Sequence, residues 1–249
     1  MSGHSKWAKI KRQKGANDAR KGAVFTKLAR EIQVSAREGG PDPDANARLR
    51  LAIQKARAEE MPAENIKRAI DRASGAAAEQ LEEITYEGYG PGGTAILVQA
   101  MTDNRNRTVS EIRAAFNRGG GSLGESGCVA WIFESRGVIV VPVEKAPAED
   151  IALFAIDAGA EDVKEEAGFV EITTEPSAFE GVRSALAAKN LTIDHAEVSM
   201  LPKTTVELDD ERSEQAIRLV DRLDALDDVQ HVYSNVELGE AVPLKVGAS

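Results

Sequence analysis

The chain has 249 residues, 42% of them hydrophobic and 29% charged, with 31 Lys+Arg against 41 Asp+Glu and a formal net charge of −10. Those fractions belong to an ordinary soluble globular protein of two or three domains and exclude the disordered, collagenous and membrane classes. An acidic balance also argues against a surface built throughout to hold nucleic acid, and a single cysteine, Cys128, makes neither an internal disulfide nor a Cys-rich zinc site, as expected of a reducing compartment.

The charge is unevenly spread. Residues 1–37 hold ten basic residues against Asp18 and Glu31, a balance of +8; residues 38–75 are neutral, and the remainder carries −18. Such asymmetry points to a polyanion-facing segment on an acidic body. The first fifteen residues have no clean apolar period and read as an arm that orders on a partner. In it Lys6, Lys9, Lys11, Arg12 and Lys14 are placed to neutralise phosphates, and Trp7 to stack on a base or pack on the body. A solvated tail or a basic transit peptide would have the same composition.

Three helices are predicted next. Asn17 caps one that runs to about Glu38, with Phe25, Leu28 and Ile32 on one face and Arg20, Lys27, Arg30 and Arg37 gathered on the other. The turn Gly39-Gly-Pro-Asp-Pro43 ends it. A second helix from about Ala45 to Glu60 turns Leu49, Ile53 and Ala56 inward, and a third starts at Pro62 with Ile66, Ala69, Ile70 and Ala73 as its apolar face.

From about Glu83 strands alternate with helices. Residues 94–101 read as a strand, Thr108 to Glu111 as a capping box opening a helix to 118, and 128–133 as a strand. Strand 137–143, helix 149–158, hairpin 162–165/169–173, a helix capped by Ser177 and strand 193–200 then spell βαββαβ, the ferredoxin-like order. Segments 204–208 and 229–234, with a helix between them, would complete a second such unit around the first.

Few motifs carry chemistry. Gly88-Tyr-Gly-Pro-Gly-Gly93 formally satisfies G-x-G-x-x-G, but it precedes a strand rather than opening a helix, so it reads as a tight turn or a contact loop. Gly119–Gly127 reads as a flexible loop and lacks the Gly-Lys-Ser/Thr ending of a phosphate-binding loop. In Thr102-Asp-Asn-Arg-Asn-Arg-Thr108, Arg105 and Arg107 stand beside a helix N-terminus, where a cation is unfavourable unless an anion lies between; a nucleic-acid phosphate or an internal carboxylate would serve equally. His4, His195 and His231 are scattered and Cys128 lies in an apolar stretch, so neither a catalytic constellation, a metal site nor a cofactor site is predicted.

The opening Gly3-His-Ser-Lys-Trp7, the Gly39–Pro43 turn, Met61-Pro62 with Ile66 and Arg68-Ala-Ile70, Tyr86–Gly93 and Thr102–Thr108 together closely resemble the YebC family, from residue 2 to about 240. The resemblance implies a three-domain cytoplasmic protein described in the family as a probable DNA-binding transcriptional regulator. The related mitochondrial translational activator of cytochrome c oxidase, and ribosome-linked bacterial members, imply a second reading: a translation factor that relieves stalling at proline-rich stretches. Because the family motif begins at residue 2, the arm is expected in the mature protein rather than in a transit peptide.

The expectations are therefore an α+β multidomain chain. A basic arm and three-helix domain would span residues 1–79, a discontinuous ferredoxin-like domain residues 80–134 plus 203–240, and an inserted ferredoxin-like domain residues 135–202. The expected activity is non-enzymatic: contact with duplex DNA or ribosomal RNA through the N-terminal basic segment, with the acidic domains facing protein or ribosome and no membrane partner. A small-molecule-sensing module is a further alternative, resting on fold analogy.

Overall fold

The computed structural model describes residues 18–74, 81–144, 146–166 and 168–237. Its first elements are helices α1 (Asp18–Gly39), α2 (Ala47–Ala58) and α3 (Ala63–Ser74). Asn46 caps α2, its side chain accepting from Leu49 N, and its Nδ2 also donates to the carbonyls of Ser35 and Gly40, which ties the Gly39–Pro43 turn to α1. Leu28, Ile32 and Ala36 of α1 meet Leu49, Ile53 and Ala56 of α2 and Ile66, Ala69 and Ala73 of α3 in one core. The predicted apolar faces are thus the faces that pack.

The chain then forms β1 (Glu82–Tyr89), a 3-10 turn at Pro91–Gly93, β2 (Ala95–Thr102), α4 (Arg105–Arg118) and β3 (Ser122–Leu123). After a 3-10 turn at Ala130–Ile132 come β4 (Phe133–Pro142), α5 (Ala148–Asp157), β5 (Asp162–Glu166), β6 (Phe169–Thr174), α6 (Phe179–Ala188), β7 (His195–Pro202) and β8 (Val206–Glu207). The last described elements are α7 (Asp210–Asp224), β9 (Val229–Ser234) and β10 (Val236–Glu237).

Of the described residues, one compact unit holds those up to Val129 together with Glu211–Ser234; the other holds Ala130–Asp210 and those from Asn235 on. In the first unit the sheet order is β3-β1-β2-β9, with every neighbouring pair antiparallel. Ile112 and Phe116 of α4 and Leu219 and Leu223 of α7 are fully buried, with Phe116 close against Gly88 and Leu219 against Gly90 and Gly119. The three-helix layer belongs to this same unit, and Val34 of α1 packs with Leu81 and Met101.

In the second unit β4-α5-β5-β6-α6-β7 is a βαββαβ run with strand order β5-β6-β4-β7, again antiparallel throughout. Ile139, Val141, Val170 and Ile172 of the sheet pack with Ile151 and Ala155 of α5 and Val182 and Leu186 of α6. This follows from alternation along β4 and β6, which turns every second side chain to the helices.

Several expectations are corrected. No strand spans 128–133: the Glu87 carboxylate, 5% exposed, accepts from Gly127 N (2.6 Å) and Val129 N (2.8 Å), and Ala130–Ile132 coil into a 3-10 turn instead of extending. Segment 204–208 contributes only β8, which pairs in parallel with β10 and not with the four-stranded sheet. The place given to these segments is filled by β1 and β3; β1, with Glu at three of its eight positions, shows little alternation of hydrophobicity. Helix α4 starts three residues before the predicted capping box, with Asn104 as its cap, and α6 follows Ala178 without a side-chain cap, so Ser177 does not have that role.

Candidate nucleic-acid interface

The basic face of α1 does not look outward. Lys27 Nζ donates to Asp224 O at 2.6 Å and lies 3.2 Å from Asp224 Oδ1. Arg30 donates to Asp227 O and pairs with Asp228 Oδ1 at 2.9 Å, and Arg37 donates to Leu81 O. The helix therefore has two packed faces: the apolar one on α2 and α3, the cationic one on the turn between α7 and β9 and on the start of β1. Residues 32–36 are buried without interruption as a result. Of the other predicted contacts, Arg20 lies in the first turn of α1, and Lys6, Trp7, Lys9, Lys11, Arg12 and Lys14 fall outside the described residues.

At the centre of that turn is Asp228, whose side chain is 2% exposed. Its Oδ2 is 2.7 Å from Thr108 Oγ1 and 3.1 Å from Thr102 Oγ1. Arg107 Nη2 reaches both carboxylate oxygens at 2.8 and 2.9 Å, and Arg30 arrives from α1. Burial pushes the Asp228 carboxyl up, but the hydrogen bonds from Thr108 and Arg107 and the charges of Arg30 and Arg107 outweigh it and hold the group below the usual aspartate range. Arg107 is raised correspondingly, first by its hydrogen bond to Asp228 and then by that to Asp103, 2.8 Å away.

The anion required beside Arg105 and Arg107 is thus a carboxylate of the chain itself. Arg107 has Asp228 and Asp103, and Arg105 Nε pairs with Glu82 Oε2 at 2.6 Å. Sequence alone does not show Asp228 as the partner of Arg107, because it lies 121 residues away.

The glycine-rich segments are held rather than loose, which corrects the flexible-loop reading of 119–127. Gly124 N donates to Glu87 O, β3 pairs with the end of β1, and Tyr89 OH donates to Cys128 O at 3.1 Å. A methyl group at Gly88 would stand 2.6 Å from Ser122 O, and one at Gly124 2.5 Å from Cys128 Sγ. The first glycine run closes the β1–β2 hairpin, with Gly92 and Gly93 at positive φ. Burial, helped by the charge of Glu87, raises the Cys128 thiol, so it stays protonated at neutral pH.

A set of cations that averages out within the neutral stretch 38–75 is open. Helix α2 carries four basic residues and no acidic one. Arg48 is engaged with Glu38 and Glu83, and Lys55 with Glu31, whereas Arg57 and, on α3, Lys67 and Arg72 are exposed and make no ion pair or hydrogen bond with the described residues. Among the described residues no group of three or more His, Cys, Asp and Glu is arranged to hold a metal ion, and no helix is long and apolar enough to cross a membrane.

Comparison with known proteins covers both parts of the chain. Residues 5–76 match the TACO1/YebC protein N-terminal domain and residues 81–236 the TACO1/YebC second and third domain. A protein of Dehalococcoides mccartyi is 53% identical over 247 residues, covering 97% of each chain. One of Rubrobacter xylanophilus is 51% identical over 248 residues, covering 99% of each, and one of Moorella thermoacetica is 55% identical over 246, covering 97% of this chain and 98% of that one. All three bear the name probable transcriptional regulatory protein. The crystal structure of a conserved hypothetical protein from Aquifex aeolicus superimposes with a TM-score of 0.81 at 44% identity, over 90% of this chain and 93% of that one. By both its helical and its α/β parts, the chain belongs to the TACO1/YebC family.

Proposed function

We propose that the protein is a non-enzymatic cytoplasmic regulator of gene expression that binds nucleic acid through its basic N-terminal segment, with duplex DNA as the target. The observation that carries this reading is the charge division: +8 on residues 1–37 against −18 on the part beyond residue 75. Phosphate attraction is confined to one end, while the acidic remainder is repelled by polyanions and faces water or protein. The names of the relatives agree with a regulatory role. The exposed cations Arg57, Lys67 and Arg72 are further candidates for phosphate contact.

The test is fluorescence anisotropy with a labelled mixed-sequence duplex over a salt series. Replacing Lys9→Glu with Lys11→Glu weakens binding and lowers the slope of log affinity against log salt by about one for each phosphate that the variant no longer neutralises. Binding that is indifferent to the pair, or to salt, overturns the reading. Sedimentation with ribosomes in a sucrose gradient, abolished by RNase and accompanied by no preferred duplex sequence, replaces DNA by ribosomal RNA as the target.

A further inference from the structure

We propose that the contact between α1 and the 224–228 turn is an electrostatic latch, which nucleic-acid phosphate opens by taking Lys27 and Arg30. This inference rests on the reading of the protein as a nucleic-acid binder and adds a regulation to it. The two cations lie on the same face of α1 as Val34 and Arg37, each only 19% exposed as a side chain. Among the groups they meet are the carboxylates of Asp224 and Asp228 and the carbonyls of Asp224 and Asp227. A nucleic-acid phosphate offers the same monoanionic pair of acceptor oxygens, repeated closely along the duplex.

Three features make this contact detachable. First, Asp228 is provided for without α1: Thr102, Thr108 and Arg107 all come from the β2–α4 segment, so withdrawal of Arg30 leaves no orphaned carboxylate. Second, the apolar part of the contact is small, a cluster of Val34, Leu81 and Met101, unlike the eleven-residue core on the opposite face of α1. Opening along this seam therefore keeps the three-helix layer intact and frees α1 from the 224–228 turn, while Arg37 and Arg48 still reach Leu81 O and Glu83. Third, the closed state leaves a polar group unsatisfied. Gln33, 6% exposed on the stretch of α1 buried from both sides, has an Nε2 without a hydrogen-bond partner among the described residues, and that loss is recovered when water reaches it.

Hydrogen exchange of the full chain, followed by mass spectrometry with and without a mixed-sequence DNA duplex of about 30 base pairs at about 50 mM salt, tests the latch, with heparin as a sequence-free polyanion. Saturating duplex is expected to speed exchange by about threefold or more in peptides covering 30–37 and 224–230. Lys27→Gln with Arg30→Gln brings the faster exchange without any polyanion. The exchanged pair Lys27→Asp with Asp224→Lys restores slow exchange and responds less to duplex, because the helix then presents a carboxylate that phosphate cannot capture. Duplex that binds while those peptides exchange unchanged or more slowly overturns the latch and leaves the functional reading standing. So does a Lys27→Gln/Arg30→Gln protein that exchanges no faster than the native one. Failure of both duplex and heparin to bind overturns the functional reading and the latch together.

Discussion

Asp228 shows how much one side chain can organise. It is buried, carries a charge, and receives hydrogen bonds from two hydroxyls and a guanidinium while pairing with a second guanidinium from another layer. Because its native pKa is lowered, the deprotonated form is favoured by folding. The stabilisation is fully present above the ordinary aspartate value of about 3.9 and is lost as the pH falls through the lower native value. Urea denaturation midpoints are therefore expected to fall below about pH 4, and Asp228→Asn is expected to remove this group's share of that dependence. At neutral pH the same substitution costs about 2–4 kcal/mol, since Arg30 and Arg107 lose their shared counter-charge. Arg107 has an evident need for an anion from its place at a helix start; the identity of that anion is not legible, because nothing in the sequence marks a residue 121 positions away as its neighbour.

At the level of elements, α1 is the most instructive. Its heptad-like spacing of Phe25, Leu28 and Ile32 correctly identifies one buried face, and a single-helix argument assigns the opposite, cationic face to solvent. That face is instead the seam with the sheet. Val34, which lies among the cations, is the available signal, since an aliphatic residue within a basic stripe gains little from solvent and is 1% exposed in the structure. On the same buried stretch of α1, Gln33 Nε2 has no hydrogen-bond partner among the described residues. Gln33→Met, similar in volume and without the buried donor, is expected to stabilise the chain by about 1 kcal/mol, read as a rise of about 2–4 °C in Tm. It should also slow the exchange that reports opening of the seam. Strands without a hydrophobic alternation are the least legible elements: β1 and the two-residue β3 escape notice because pairing, not propensity, defines them, and the apolar run at 128–133 is instead a Glu87-bound Val129 followed by a 3-10 turn.

Across the whole molecule the described chain changes between its two compact units three times, after Val129, Asp210 and Ser234. The βαββαβ run starts on β4 and ends on β7, and the first and last residues of those strands, Phe133 and Pro202, are directly paired. Paired residues of antiparallel strands lie roughly 5 Å apart, so the βαββαβ run begins and ends at one place, the condition under which removal of a segment is tolerated. Removal of 133–202 and closure with a short Gly-Ser linker should leave a protein that still unfolds cooperatively, with the helical layer and the β3-β1-β2-β9 sheet intact. Circular dichroism and a thermal melt read this, and a chain without a cooperative transition contradicts it. Charge follows the same large-scale logic: an average of −10 conceals a positive end and an acidic body, and part of the positive end is spent on internal contacts with the 224–228 turn.

The sequence by itself determined what depends on local periodicity and on charge counted along the chain: the three-helix layer, the βαββαβ run, the concentration of cations at one end, and the need of Arg105 and Arg107 for nearby anions. Only the tertiary structure decided where those anions come from, which face of α1 is open, and which short segments are strands. The physical reason is that helix faces and charge density are fixed by neighbours a few residues apart, whereas a salt bridge such as Arg30–Asp228, or a strand of two residues such as β3, exists only once distant segments have been brought together.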